Sequence, residues 1–204
     1  VAGFSISLAP RGDGAKARRP VLRDTLLRTR WVTILVPLAD IAADRVEDLL
    51  DRAFGLERHA RTAYRIRSGT EAIPELSFAA LGQDGQLLGT IQCWPVVLHG
   101  DGGAQVPMVM VGPVAVEPAL QRGGIGRLLM ECVLEAASVR DVEGSDALML
   151  IGDPEYYERF FGFTADHTAL WRLPGPFQQR RLLARGTAVP ACAGLVGPRL
   201  DQAA

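Results

Sequence analysis

No stretch of this chain approaches the roughly 20 consecutive apolar residues that a bilayer span requires. The apolar runs Val32 to Leu38 and Met108 to Val116 are far shorter, and no membrane association is expected. The opening residues lack the charged, then apolar, then small-residue order of a secretory signal, so the expected location is cytoplasmic. Cysteine is scarce. Cys93, Cys132 and Cys192 are widely separated, with no His or Cys at ligand spacing, which argues against a disulfide framework or a metal site and for three buried thiols. The histidines are as sparse: His59, His99 and His167 are scattered and read as surface or loop residues rather than catalysts. Neither sign of charge dominates, because 22 Lys and Arg against 23 Asp and Glu leave a net charge of −1. The chain as a whole has no pull toward nucleic acid.

What charge there is lies unevenly. Arg11, Lys16, Arg18, Arg19, Arg23, Arg28 and Arg30 face only Asp13 and Asp24 in the same stretch. Residues 1–30 are therefore expected to form a basic, partly disordered extension. A nucleic-acid or acidic-partner binder acting through this segment ranks low, since no aromatic residue interleaves the charges before Trp31. The remainder, 31–204, is long enough for one domain with a real core.

Within it the patterns alternate between strand and helix. Trp31 to Ala39 is β-branched and apolar and reads as a first strand. Ile41, Val46, Leu49, Leu50 and Phe54 recur at helical spacing before Gly55, and a second, polar helix is expected over Glu57 to Arg67. Leu76 to Leu81 and Leu87 to Leu98 flank a glycine-bearing turn, the mark of a hairpin. Val106 to Val116 should pair back as the fourth strand. Ile125, Leu128, Leu129, Cys132, Val133, Ala136 and Ala137 fall at three- and four-residue intervals, which buries one helical face. Asp146 to Gly152 reads as a buried fifth strand. Asp153 to Phe161 reads as a short helix opened by an Asp cap and Pro154 and stopped by Gly162. Three further short strands are expected in 168–174, 180–186 and 191–197. The order predicts an α+β fold of three layers: a mixed, mostly antiparallel sheet flanked by helices, with a helical crossover making the fourth and fifth strands parallel.

The helix after the fourth strand begins oddly, on Gln121-Arg122-Gly123-Gly124-Ile125-Gly126-Arg127. The first turn of a helix leaves N–H groups unpaired at its positive end and so offers a socket for an anion. Side chains obstruct such a socket, and Gly123, Gly124 and Gly126 remove them. Any one of these glycines is explained as well by a tight turn or close packing. The cluster is not, because each costs about 0.5–1 kcal/mol relative to Ala in an opening turn. A phosphate is the natural guest, with Gln121, Arg122 and Arg127 as extra donors. A dinucleotide fingerprint fails, since Leu129 stands where its third glycine belongs, and a P-loop fails for want of Lys-Ser or Lys-Thr.

Gln121 to Gly126 fits the Gln/Arg-x-x-Gly-x-Gly/Ala signature of the GCN5-related N-acetyltransferases (GNAT). Together with Gly112 to Gln121 before it and Gly152 to Phe163 after it, the sequence resembles the YhbS-like group of that superfamily over Trp31 to Arg172. The resemblance implies acetyl-CoA as co-substrate, its diphosphate on the Gln121-to-Arg127 turn and its pantetheine arm between splayed fourth and fifth strands. A reason for the splay stands in the chain: Pro113 cannot donate a ladder hydrogen bond, so pairing should bulge there. Backbone groups of Val114, Ala115 and Val116 are then expected to bond the pantetheine amides, and the resemblance assigns the Val116 N–H to the thioester oxygen. It also implies a tyrosine acid four residues before a Gly-Phe pair. Here Glu158 holds that place, and one residue turns a helical side chain by about 100°. Tyr157 is the expected acid if a bulge near Phe161 absorbs the extra residue, with Tyr156 in reserve; plain aromatic packing is the alternative for both. Glu117, Glu75 and Asp153 are candidate bases. The implied acceptor is a small-molecule amine or a peptide N-terminal or lysine amine, and a homodimer is left open. A CoA-binding sensor or scaffold without catalysis is the rival reading, encouraged by the tyrosine spacing.

Overall fold

The computed structural model describes residues 33–200; the basic N-terminal segment and the start of the expected first strand lie outside the described residues. The elements run in the expected order. β1 (Ile34–Pro37) leads through a 3-10 turn to α1 (Ala43–Phe54), α2 (Thr62–Ile66), β2 (Phe78–Leu81), β3 (Leu87–Gly100) and β4 (Gln105–Val116). Then follow α3 (Ile125–Val139), β5 (Leu148–Ile151), α4 (Pro154–Phe161), β6 (Trp171–Arg172), β7 (Leu182–Arg185) and β8 (Gly194–Pro198). The sheet order is β1-β2-β3-β4-β5-β7, with β8 pairing both β3 and β6. Pairing is antiparallel except between β4 and β5 and between β6 and β8. Among the described residues no helix is long and apolar enough to cross a membrane.

Alternation along the strands sends side chains to two cores. Val109 and Val111 of β4 and Leu148 and Leu150 of β5 face α3, where Ile125, Leu129, Val133, Ala136 and Ala137 meet them. Met108, Met110, Ala147 and Met149 face the other side, with Ile66 of α2 and Trp171. Gly89 lets α3 settle close, since a Cβ there would stand 2.9 Å from the Ala115 carbonyl and 3.0 Å from Ile125. The buried stripe of α3 is turned slightly from the expected one. Met130 is 1% exposed and Leu128 36%.

The expected second helix is broken in two. A 3-10 turn over Leu56–Ala60 ends where Arg61 is extended (φ −71°, ψ 149°), and only Thr62–Ile66 is α-helical. The break lets Arg58 turn back onto α1, where it bonds Asp51 (2.7 Å) and Glu47. The cysteines differ in fate: Cys93 is buried, Cys132 half-buried and Cys192 exposed. Cys192 lies in the loop before β8, where no sheet face covers it.

Candidate active site

The β3–β4 register places Ile91 opposite Val114 and Cys93 opposite Val111, so Gly112 and Pro113 together oppose Gln92. This is a β-bulge at the expected place, with Gly112 at φ 122°. It also shifts the alternation of β4. Before the bulge the Val109 N–H points to β5, donating to the Ala147 carbonyl (3.1 Å). After it the Glu117 N–H donates to Leu88 of β3 (2.9 Å). By the antiparallel rule Ala115 then also bonds β3, at Thr90, while Val114 and Val116 turn their N–H and C=O groups to the β5 side. Ala115 is thus unlike its neighbours: its polar backbone faces β3 and is not free for a ligand.

β5 does not follow. It pairs with β4 only at Val109–Leu148 and Met110–Met149, so the two strands part just where the bulge begins. A cavity of about 880 Å³ opens in the gap. Met110 to Val114 form one side, Leu150 to Asp153 and Tyr157 another, and Arg58, Ala60 to Tyr64 and Arg67 with Pro176 to Gln178 the third. The third wall is tied together by Thr62, whose hydroxyl donates to the Pro176 carbonyl (2.6 Å), and by Arg65, which donates to that of Pro174 (3.2 Å).

The glycine turn stands beside the free end of β4. Its first helical bond runs from the Leu128 N–H to the Gly124 carbonyl (3.0 Å), so the amides of Ile125, Gly126 and Arg127 precede the ladder without an intrahelical acceptor. Two of the three glycines are required by the backbone itself. Gly124 is left-handed (φ 91°), and a Cβ on Gly123 would come within 2.9 Å of the Leu120 carbonyl. Gly126 has ordinary room, with Val116 Cγ2 at 3.6 Å and Val114 Cγ1 at 3.8 Å from a Cβ built there. Bare turn and open strand edge therefore adjoin. Arg122 also takes a positive φ, 67°, which holds its amide in the same turn. Arg127 is exposed and pairs with Glu131 (2.7 Å), and Gln121 is exposed.

Tyr157 lines the cavity, whereas Tyr156 is 38% exposed. The end of α4 is widened: the Gly162 N–H reaches the carbonyls of both Glu158 and Tyr157, and the Phe163 N–H reaches Tyr157 (3.3 Å). The Tyr157 ring lies against Gly152, where any Cβ would collide with it. Burial pushes its phenol up to about 12, helped by Tyr156 and Asp153 and opposed by Arg181.

The candidate bases are engaged or remote. Glu117 pairs with Arg52 (3.1 Å) and Asp153 with Arg181 (3.2 Å). Asp153 thereby gives up the expected side-chain cap of α4, which forms no such bond. Glu75, in the turn before β2, lies outside the cavity lining, as do the three histidines. Arg67 carries no motif in the sequence. It is 7% exposed, donates to Gln92 (3.2 Å), and holds its guanidinium 3.9 Å from the Tyr64 ring centroid and 4.1 Å from that of Trp94.

The fold has counterparts among known proteins. A family model described as an acetyltransferase (GNAT) domain matches residues 37–164, more than half of the chain. Among solved structures, the GNAT family N-acetyltransferase YhbS from Escherichia coli, in complex with CoA, is similar at a TM-score of 0.63 and 24% identity, over 83% of this chain and 91% of that one. A GNAT family acetyltransferase from Brucella melitensis, in complex with acetyl-CoA, is similar at 0.54 and 25%, over 82% and 96%. No curated protein matches the chain.

Proposed function

The chain belongs to the GNAT acetyltransferase family, an acyl-CoA-dependent class of acyltransferase, and on that premise we propose that it transfers the acetyl group of acetyl-CoA to a primary amine. One observation carries the proposal: three unpaired amides at the start of α3 adjoin a strand edge from which β5 has diverged. An anionic diphosphate suits the first feature, and an extended, amide-bearing arm suits the second. The similar structures from Escherichia coli and Brucella melitensis, complexes with CoA and acetyl-CoA, support the same choice of co-substrate.

Each residue then has a task. The amides of Ile125, Gly126 and Arg127 hold the diphosphate, with the charge of Arg122 and the side chain of Gln121 beside them. Gly123 and Gly124 keep the approach bare. Val114 and Val116 bond the pantetheine arm. Acetyl-CoA supplies an activated thioester carbonyl, and the Val116 N–H receives the negative charge that develops on its oxygen as the amine attacks. Tyr157 protonates the sulfur as the C–S bond breaks, and the proton that the attacking nitrogen sheds restores the phenol. Its raised pKa suits that role, since the phenol keeps its proton at any physiological pH. A carboxylate base is not required: Asp153 is engaged by Arg181, and an amine entering an arginine-lined cavity is driven toward its neutral, nucleophilic form.

The test is release of free thiol from acetyl-CoA across a panel of amines, with CoA binding measured separately by calorimetry. Amine-dependent release supports the proposal. Firm CoA binding without transfer to any amine would favour a sensor or scaffold instead.

A further inference from the structure

The acceptor end of the cavity has a chemical bias of its own. Its lining includes four arginines, Arg58, Arg61, Arg67 and Arg181, and one acidic residue, Asp153. Two of the four are compensated: Arg58 by Asp51 and Glu47, and Arg181 by Asp153. Arg61 is exposed and bonds only the Phe54 carbonyl (3.0 Å). Arg67 is the anomaly, a nine-tenths-buried cation that pairs with no carboxylate among the described residues.

A buried charge without a counter-ion is costly, and arginine cannot escape the cost by losing its proton. Desolvation pulls the Arg67 pKa down, helped by Arg58 and opposed by Tyr64 and Glu47. Tyr64 and Trp94 cover its guanidinium, and such stacking leaves the N–H edge to make in-plane bonds. One of those donors goes to Gln92, the residue over which β4 bulges. Gln92 thus holds the cation opposite the same bulge that frees the strand edge, and Arg67 lines the cavity.

We propose that the acceptor is an amine that also carries an anionic group, a carboxylate or a phosphate, which is bound by Arg67 with Arg61 at the rim. The proposal deepens the acetyltransferase reading and rests on it for the identity of the reacting amine. Polyamines and other multiply cationic acceptors are disfavoured by the same arginines, because like charges brought together repel. A planar carboxylate fits the fork of a guanidinium, and a phosphate meets the same donors.

The experiment uses the full chain saturated with CoA and matched ligand pairs: amino acids against their carboxamides, and phosphorylated amines against the corresponding amino alcohols. Calorimetric binding is read alongside thiol release from acetyl-CoA. The anionic member of at least one pair is expected to bind about tenfold or more tightly than its neutral partner, and the carboxylate and phosphate arms tell the two sources apart. Arg67→Gln should abolish the preference and leave CoA affinity unchanged. Should that variant fail to fold, Arg67→Lys keeps the charge without the fork and should weaken the preference in the same direction. Equal or tighter binding of neutral or cationic amines, binding of no anionic amine at all, or an unchanged preference in a folded Arg67 variant overturns the inference. Absence of thiol release with every amine would remove the acetyltransferase reading, while the binding ratios still decide the charge of the ligand.

Discussion

A tyrosine can serve as an acid only where its proton is present and its geometry fixed. Tyr157 meets both conditions through its surroundings: the ring is seated against Gly152, with Phe163 and Phe161 around it, and burial holds the phenol in its neutral form. Tyr157→Phe is therefore expected to lower kcat by about 10²-fold or more while CoA affinity stays the same, as for the loss of a general acid. Steady-state kinetics and calorimetry on the same preparation check this. The sign of the pH effect follows. A tyrosine raised from 10.0 to about 12 remains protonated throughout the working range, so kcat/KM should rise as the acceptor amine loses its proton and show no decline near pH 10. A falling limb centred on that ordinary tyrosine value would contradict the raised pKa, and a limb that persists unchanged in Tyr157→Phe would remove Tyr157 from the acid role. At this scale the sequence was half legible. Tyr156 and Tyr157 both stand out in the sequence, and only the fold separates them, Tyr157 lining the cavity and Tyr156 lying exposed. Arg67 gave no local signal, because its meaning arises only when α2 meets Gln92, 25 residues on.

The elements divide into those that hold the fold and those that shape the site. α3 does both, with its apolar face buried on the sheet and its first turn bare. The two roles are separable. Leu129→Ala, at a fully buried position, should destabilise the protein by about 2–5 kcal/mol through transfer and cavity terms, and CoA affinity in the fraction still folded should change little. Urea denaturation and calorimetry together test it. The periodic helices and strands were readable because one face of each is buried, which stamps a period of 3.6 or 2 on the sequence. The polar stretch over Glu57 to Arg67 was not. Its break at Arg61 goes with the return of Arg58 to α1, a tertiary contact that carries no period. The missing side-chain cap of α4 has a similar origin, since Arg181 arrives from far along the chain to engage Asp153.

At the scale of the whole molecule, the bulge at Gly112–Pro113 organises the rest. It parts β4 from β5, turns Val114 and Val116 toward the gap and leaves Gln92 to anchor Arg67. The break was foreseeable from a proline inside a strand; its reach across three layers was not. The socket at the start of α3 completes the arrangement, and the central claim is that its amides hold the diphosphate of a coenzyme. Gly126 is the position at which to test it, because it is helical rather than left-handed and a side chain there has room. An acid in a helix's first turn favours the helix dipole by about 0.3–1 kcal/mol, so Gly126→Glu should fold at least as stably as the parent. The deciding measurement is the Kd for CoA by calorimetry. The account predicts weakening by about a hundredfold or more, ~2.7 kcal/mol, in a fully folded variant; affinity equal to that of the parent would contradict it.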